Sequence, residues 1–404
     1  MDDSLSEEYR LLRAGLRTLV RDRIAPRAGD IDRERRYPED VFQLFRDQGI
    51  LGLLFPEEQG GSGMGTLGLA LAIEEVGRAC ASSAQILTLT ALTTWPLRLV
   101  GPLELRREYI PAVAAGRLRG AFALTEPNAS SDLGSMVTRA EQTVEGYVLY
   151  GEKDFISGSP QANFFIVFAR TGNVPGPGGM TGFLVPMPQA GVVFLRRDEG
   201  MGLKGMPHCD WAFDGCAVPK DYRIGAEGQG AETARLSMNA IQPLLAARGL
   251  GSAEECLAYA RDYAANRRIY GGRLGDLQAV KLHLAEIAVN VEAARLLTYQ
   301  AARMVDAGRF HEEADAAYLN AAKVFSARTA VRAADEAMQV VGGHGYMEVH
   351  PLERMYRDAR HLALYMGTDE VLRLRIADAV LQGGLSHGPA VSRQPSVERA
   401  RGET

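Results

Sequence analysis

The chain has 404 residues, 46% of them hydrophobic, with a formal charge of -5 and a mean hydropathy of -0.11. That size and balance suit a soluble protein with two or three packed domains. They leave no basic block to hold nucleic acid or an anionic membrane surface, and no apolar run of the roughly 20 residues that would span a bilayer.

The opening from Met1 to Arg10 is acidic and polar, whereas a secretory signal needs a basic start and about 7–15 apolar residues. A cytoplasmic protein is therefore expected. Cys80, Cys209, Cys216 and Cys256 are scattered, without metal-type pairs or a disulfide framework, and read as core or surface thiols.

From Ser6 to about Ala25, Leu11, Leu12, Leu16, Leu19 and Val20 recur at helical spacing, and Pro26 is expected to end that helix. A second helix is expected from near Pro38 to Gly49. Pro56 to Gly63 is a loop by composition, and another helix runs from about Thr66 to Arg78. Further helical segments continue to Arg119. Between Gly120 and Gly230 the character changes to short β-rich runs at Tyr147–Tyr150, Phe164–Ala169, Gly182–Val185, Val192–Leu195 and Trp211–Phe213, separated by Gly, Pro and Asn clusters. This is the pattern of a small antiparallel barrel or sandwich. Helical periodicity returns over Ala231–Arg267, where Pro243 should kink the helix, and over Leu277–Ala307, Glu312–Val340 and Thr368–Leu381. The expected division is a helical domain over 1–119, a β domain over 120–230, a helical bundle over 231–385 and a disordered tail over 386–404. The fold class is mainly α with a central β domain.

Two glycine clusters, Gly342-Gly343-His344-Gly345 and Gly367-Thr368, interrupt the last helical region. Glycine lets backbone approach a ligand closely, so both breaks are candidate binding sites. His208 and His344 have no second ligand-type residue at useful spacing; both read as structural or exposed, and no metal site is expected.

Seven separated blocks give the chain its resemblance: Pro56–Gly63, Leu124-Thr125-Glu126-Pro127 with Ser131-Asp132, Lys153–Ser157, Arg267–Gly271, Gln339–Tyr346, Arg357-Asp358-Ala359 and Gly367-Thr368. Taken in order from about Arg10 to Leu381, they resemble the acyl-CoA dehydrogenase family. The resemblance implies an N-terminal helical domain, a central β domain and a C-terminal four-helix bundle, with FAD in the cleft among them and a homotetramer or homodimer as the assembly. It implies that Phe122, Leu124, Thr125 and Ser131 line the flavin ring and thioester tail, and that Phe155 and Ser157 face the ring's other side. Arg267 and Tyr270 would reach the FAD of a neighbouring subunit. Gln339, Gly342 and Gly343 would approach the adenosine and pyrophosphate end, and Thr368 would touch the cofactor from the second break. Phe155 stands where many members have tryptophan, Ser130 where glycine is usual, and Ile269 where glutamine is usual.

The same resemblance exposes a departure. Members remove the α-proton of an acyl thioester, on coenzyme A or a carrier protein, with a glutamate that directly precedes the Gly-Thr pair; here that position is Met366. A thioether cannot take up the proton. The alternative glutamate position reads Ile241, with Asn239 and Gln242 where members often have Asp and Arg on the substrate arm. Asn239, Gln242, Met366, Gly367 and Ser131 remain the expected substrate contacts, with the catalytic base unassigned. Asp369 and Glu370 would point away from a residue before Gly367. Three readings stay open: a FAD-dependent dehydrogenase with another base, delivering electrons to an acceptor such as electron-transfer flavoprotein; a flavin-dependent monooxygenase; and a non-catalytic subunit of a hetero-oligomer.

Overall fold

The computed structural model describes residues 5–385; the expected tail over 386–404 lies outside them. The N-terminal region is helical: α1 (Glu7–Leu19), α2 (Ala28–Glu34), α3 (Glu39–Asp47), α4 (Gly65–Ala79), α5 (Ala81–Val100) and α6 (Leu103–Ala114). Pro26 does not end the first helical segment as expected. Val20–Ile24 forms a π turn and Ala25–Arg27 a 3-10 turn that feeds directly into α2. Proline sits in the first turn of the new segment, where its missing N–H costs no hydrogen bond. Pro38 acts as the cap preceding α3, and Gly49 follows that helix with φ 69°.

The central region forms one sheet. Its strands are β1 (Gly120–Ala123), β2 (Arg139–Gln142), β3 (Gly146–Ser157), β4 (Phe164–Thr171), β5 (Met180–Pro186), β6 (Val192–Asp198), β7 (His208–Pro219) and β8 (Arg223–Ile224). The order is β6-β7-β3-β2-β4-β5-β8, with β1 also paired to β4. β1 and β2 each pair with β4 in parallel, so the sheet is mixed rather than antiparallel throughout. Every residue of β4 from Phe164 to Ala169 is buried. Phe164, Ile166 and Phe168 point into the core shared with the helices, while Phe165, Val167 and Ala169 enter a second core on the other face. A strand covered on both faces reads as a continuous apolar run.

The C-terminal region holds α7 (Gly230–Asn266), a short hairpin of β9 (Arg268–Ile269) and β10 (Gly272–Arg273), then α8 (Gln278–Asp306), α9 (Glu313–Val341), α10 (Leu352–Leu362) and α11 (Asp369–Leu381). α7 runs through Pro243 as one unbroken helix. α4 packs so closely on α7 that a Cβ at Gly251 would lie 2.1 Å from the Glu74 carbonyl oxygen. Buried charges tie α1, α4 and α8 together: Arg13 contacts Glu74 at 2.7 Å and Glu75 at 2.6 Å, and Arg295 contacts Glu74 at 2.6 Å. No helix among the described residues is long and apolar enough to cross a membrane. The four cysteines are free and buried.

Candidate active site

The site begins where β1 ends and β3 runs beside it. Lys153 is fully buried and its Nζ reaches the Leu124 carbonyl at 3.0 Å and Glu126 Oε1 at 2.7 Å. Glu126 in turn accepts from the Val137 amide at 2.7 Å and the Thr138 amide at 3.1 Å. Burial drives the Lys153 ammonium down to about 8, opposed by the facing Glu126. Together with the Asp154 amide, which donates to the Thr125 carbonyl at 2.9 Å, this pair fixes the Leu124–Glu126 corner against β3.

On β3 the register with β7 shifts between Lys153 and Ile156. Phe155 lies in that irregularity with φ 57°, a left-handed conformation that costs a non-glycine residue of order 1 kcal/mol. The distortion turns the ring outward, leaving it 56% exposed, while the Phe155 amide donates to Asp210 Oδ1 at 3.0 Å. Ser157 is buried, and its Oγ lies 3.0 Å from His208 Nδ1. Phe122 and Leu124 are buried, Phe122 with its ring 5.2 Å from that of Phe168. Thr125 is half-buried and Ser131 exposed.

A second arm comes from the turn joining α10 and α11. Met366 has φ 51° and Gly367 φ 97°. Side chains from two other helices hold this turn by its carbonyls: Gln242 of α7 donates to the Met366 oxygen at 3.1 Å, and Lys323 of α9 to the Gly367 oxygen at 2.9 Å. The Met366 amide has no hydrogen-bond acceptor among the described residues. Thr368 caps α11, its hydroxyl accepting from the Val371 amide at 3.4 Å. Asp369 is committed elsewhere, with Oδ2 3.0 Å from Arg328 and Oδ1 3.8 Å from Lys323. Ile241 and Asn239 are buried on α7; the Asn239 amide nitrogen donates to the Phe310 carbonyl at 3.1 Å.

The two arms meet through residues outside the expected set of cofactor and substrate contacts. The His208 ring stacks on that of His361 of α10 at 5.5 Å, and His361 lies 4.7 Å from Tyr365. Arg248 of α7 donates through Nη2 to His361 Nδ1 at 3.0 Å and through Nη1 to Gln85 Oε1 of α5. A guanidinium only donates, so His361 Nδ1 accepts and its proton sits on Nε2. Burial, with Arg248 adding repulsion, pushes His208 down to about 4 and His361 well below its ordinary value. Both rings are neutral at physiological pH. His208, expected to be structural or exposed, is half-buried and lies between Ser157 and His361. The readable signal for Arg248 was a lone charge in the small and apolar run Leu244–Leu250.

The remaining expected cofactor residues lie apart on the surface. Gln339 is exposed in the last turn of α9 and Gly342 and Gly343 are exposed just after it, and a Cβ at either glycine would meet nothing within 4 Å. Arg267 and Tyr270 are exposed at the β9–β10 hairpin, Tyr270 at 88% with φ 50°. His344 is exposed, with Nδ1 3.2 Å from the Tyr263 hydroxyl.

Comparison with known proteins finds similar proteins along most of the chain. Residues 6–117, 121–216 and 228–381 match the families described as the N-terminal, middle and C-terminal domains of acyl-CoA dehydrogenase. The mitochondrial short-chain specific acyl-CoA dehydrogenase of Sus scrofa is 34% identical over 381 residues, covering 94% of this chain and 91% of that protein. The solved structure of butyryl-CoA dehydrogenase from Megasphaera elsdenii superimposes with a TM-score of 0.90 at 30% identity, over 94% of this chain and 100% of that one. A chain from a structure of the electron transferring flavoprotein of Acidaminococcus fermentans gives 0.91 at 30% identity, over 95% and 100%.

Proposed function

The chain belongs to the acyl-CoA dehydrogenase family, and on that premise we propose that it binds FAD and oxidises an acyl thioester, carried on coenzyme A or a carrier protein. One observation carries the reading. The chain of contacts Ser157, His208, His361, Tyr365 joins the β3 segment expected at the flavin to the Met366–Gly367 turn expected at the thioester.

The residues present fit the cofactor. Phe155 offers an exposed aromatic face on a backbone distorted to present it, suited to stacking on a flat ring. Thr125 and Ser157 supply hydroxyls for the ring's polar edge, and Phe122 and Leu124 back that surface from the core. The open backbone at Gly342-Gly343 beside Gln339 suits a pyrophosphate and adenosine. FAD, when bound, would accept the hydride from the thioester Cβ.

The chain's own residues supply the rest. The unengaged Met366 amide is a donor for the thioester carbonyl, and Gln242 and Lys323 hold its turn rigid so that the donor is preorganised. Asn239 and Gln242 each keep a buried side-chain oxygen without a donor, which suits the amide-bearing arm of a thioester. The α-proton leaves to a group other than residue 366, because neither Met366 nor Ile241 can accept it.

Electron-transfer flavoprotein is the proposed acceptor. The assembly is a homotetramer or homodimer: Arg267 and Tyr270 project from the surface as residues that complete a neighbour's cofactor site would. The free cysteines suit a reducing cytoplasm. Anaerobic addition of acyl thioesters to the FAD-loaded protein tests the reading. Bleaching of the flavin absorbance is expected; an oxidised flavin under every thioester, coenzyme A-linked or carrier-linked, contradicts it.

A further inference from the structure

Burying a cation without a counter-charge costs several kcal/mol, so buried cations are normally paired. This chain follows the rule almost everywhere. Arg13 and Arg295 face Glu74, at 2.7 and 2.6 Å. Lys153 faces Glu126 at 2.7 Å, and Lys323 has Asp369 at 3.8 Å. Arg248 breaks it. Its side chain is 1% exposed, and among the described residues no carboxylate lies within ion-pair distance.

What Arg248 does contact is neutral: Gln85 Oε1 and His361 Nδ1. His208 and His361 are held uncharged by burial, so the guanidinium has no charged group in direct contact, and Asp358 acts on it only from beyond ion-pair distance. Two donors here lack acceptors as well, Arg248 Nε and Gln85 Nε2. An anion with two acceptor oxygens supplies what both need, and the guanidinium fork is shaped for such a group.

The position says where the anion comes from. Arg248, Gln85 and Ser157 are buried, whereas His361, Tyr365, Met366 and Gly367 are half-buried. The cluster therefore opens at the turn where the thioester is proposed to sit. Because Arg248 bonds His361, which in turn lies 4.7 Å from Tyr365 beside that turn, an acyl chain entering there can bring its far end toward Arg248. An uncharged chain would leave the guanidinium unpaired, and an ammonium-bearing one would be repelled.

We propose that Arg248, with Gln85 beside it, is a subsite for a carboxylate on the acyl chain, so that the substrate is the monothioester of a dicarboxylic acid. The proposal rests on the thioester reading and adds the class of acyl group to it. Its test is binding to the FAD-loaded protein, followed by calorimetry, of the coenzyme A thioesters of succinic, glutaric and adipic acids against those of butyric, pentanoic and hexanoic acids. At least one carboxylated member binds ~10-fold or more tightly than its chain-matched partner, as a charge-assisted hydrogen bond of this kind implies. Arg248→Gln removes that ratio, and Arg248→Lys, which keeps the charge but not the fork, retains part of it. Equal or tighter binding of every uncharged partner to the unaltered protein overturns the proposal, whether or not the variants fold. Uncharged thioesters that bind and bleach the flavin without a carboxylate preference sink the subsite and leave the family function intact. No binding by either series sinks both.

Discussion

His208 and His361 carry a pH dependence whose sign follows from burial. Burial and Arg248 hold His208 near 4 and His361 well below its ordinary value in the folded chain, whereas an exposed imidazole in the unfolded chain takes its proton near 6.5. Between roughly pH 6.5 and 4 the unfolded state therefore binds more protons, and stability falls as pH drops through that window. Urea unfolding at pH 7 and pH 5 checks this: His208→Gln should lose less stability between the two than the unaltered chain. An equal loss in both would show that His208 does not titrate on unfolding. Little of this was legible in the sequence. His208 and His361 lie far apart in the chain, and no spacing rule brings residues on β7 and α10 into one stack. Arg248 was more accessible to reading, since a charge inside Leu244–Leu250 has to find a partner or a ligand.

Among the elements, β3 shows how a strand can be distorted to present a side chain. Its lysine fixes the β1 corner, and one residue-pair later its ladder slips so that Phe155 turns outward on left-handed backbone. Stability and cofactor binding should then respond in opposite directions to Phe155→Gly. Relief of the left-handed strain stabilises the cofactor-free chain by about 1 kcal/mol, while loss of the stacking face weakens FAD retention by ~10-fold or more. Paired thermal unfolding and flavin titration measure the two; a variant that keeps FAD at the original affinity would remove Phe155 from the flavin site. The Lys153–Ser157 block marked this stretch in the sequence, but the outward turn comes from the β3–β7 register shift, which pairing alone decides. β1 and β2 went unread for a related reason. Both are four residues long, and their parallel pairing with β4 depends on contacts distant in sequence. The long helices were easier to read because period and length agree, although Pro26 interrupts less than its chemistry suggested.

At the level of the whole molecule, α8 presents Leu282, Val289 and Leu296 at 65%, 69% and 70% exposure. Seven-residue spacing puts them on one face of the helix, an apolar stripe that a monomer would leave in water. With Arg267 and Tyr270 exposed at the adjacent hairpin, it supports assembly of several copies, each completing the cofactor site of another. Val289→Glu combined with Leu296→Glu should lower the mass seen by light scattering after size exclusion and release FAD with it. An unchanged mass, or a monomeric parent protein that keeps its FAD, counts against this assembly.

In the proposed function Met366 lies over the thioester Cα, and a thioether cannot take up the proton there. The most direct test is the rate of anaerobic flavin reduction by a saturated acyl thioester in the FAD-loaded protein and in Met366→Glu. A carboxylate placed there supplies a general base, and reduction faster by ~10²-fold or more is expected. A rate unchanged by the glutamate, in a variant that still binds FAD and thioester, would mean that residue 366 does not lie over Cα.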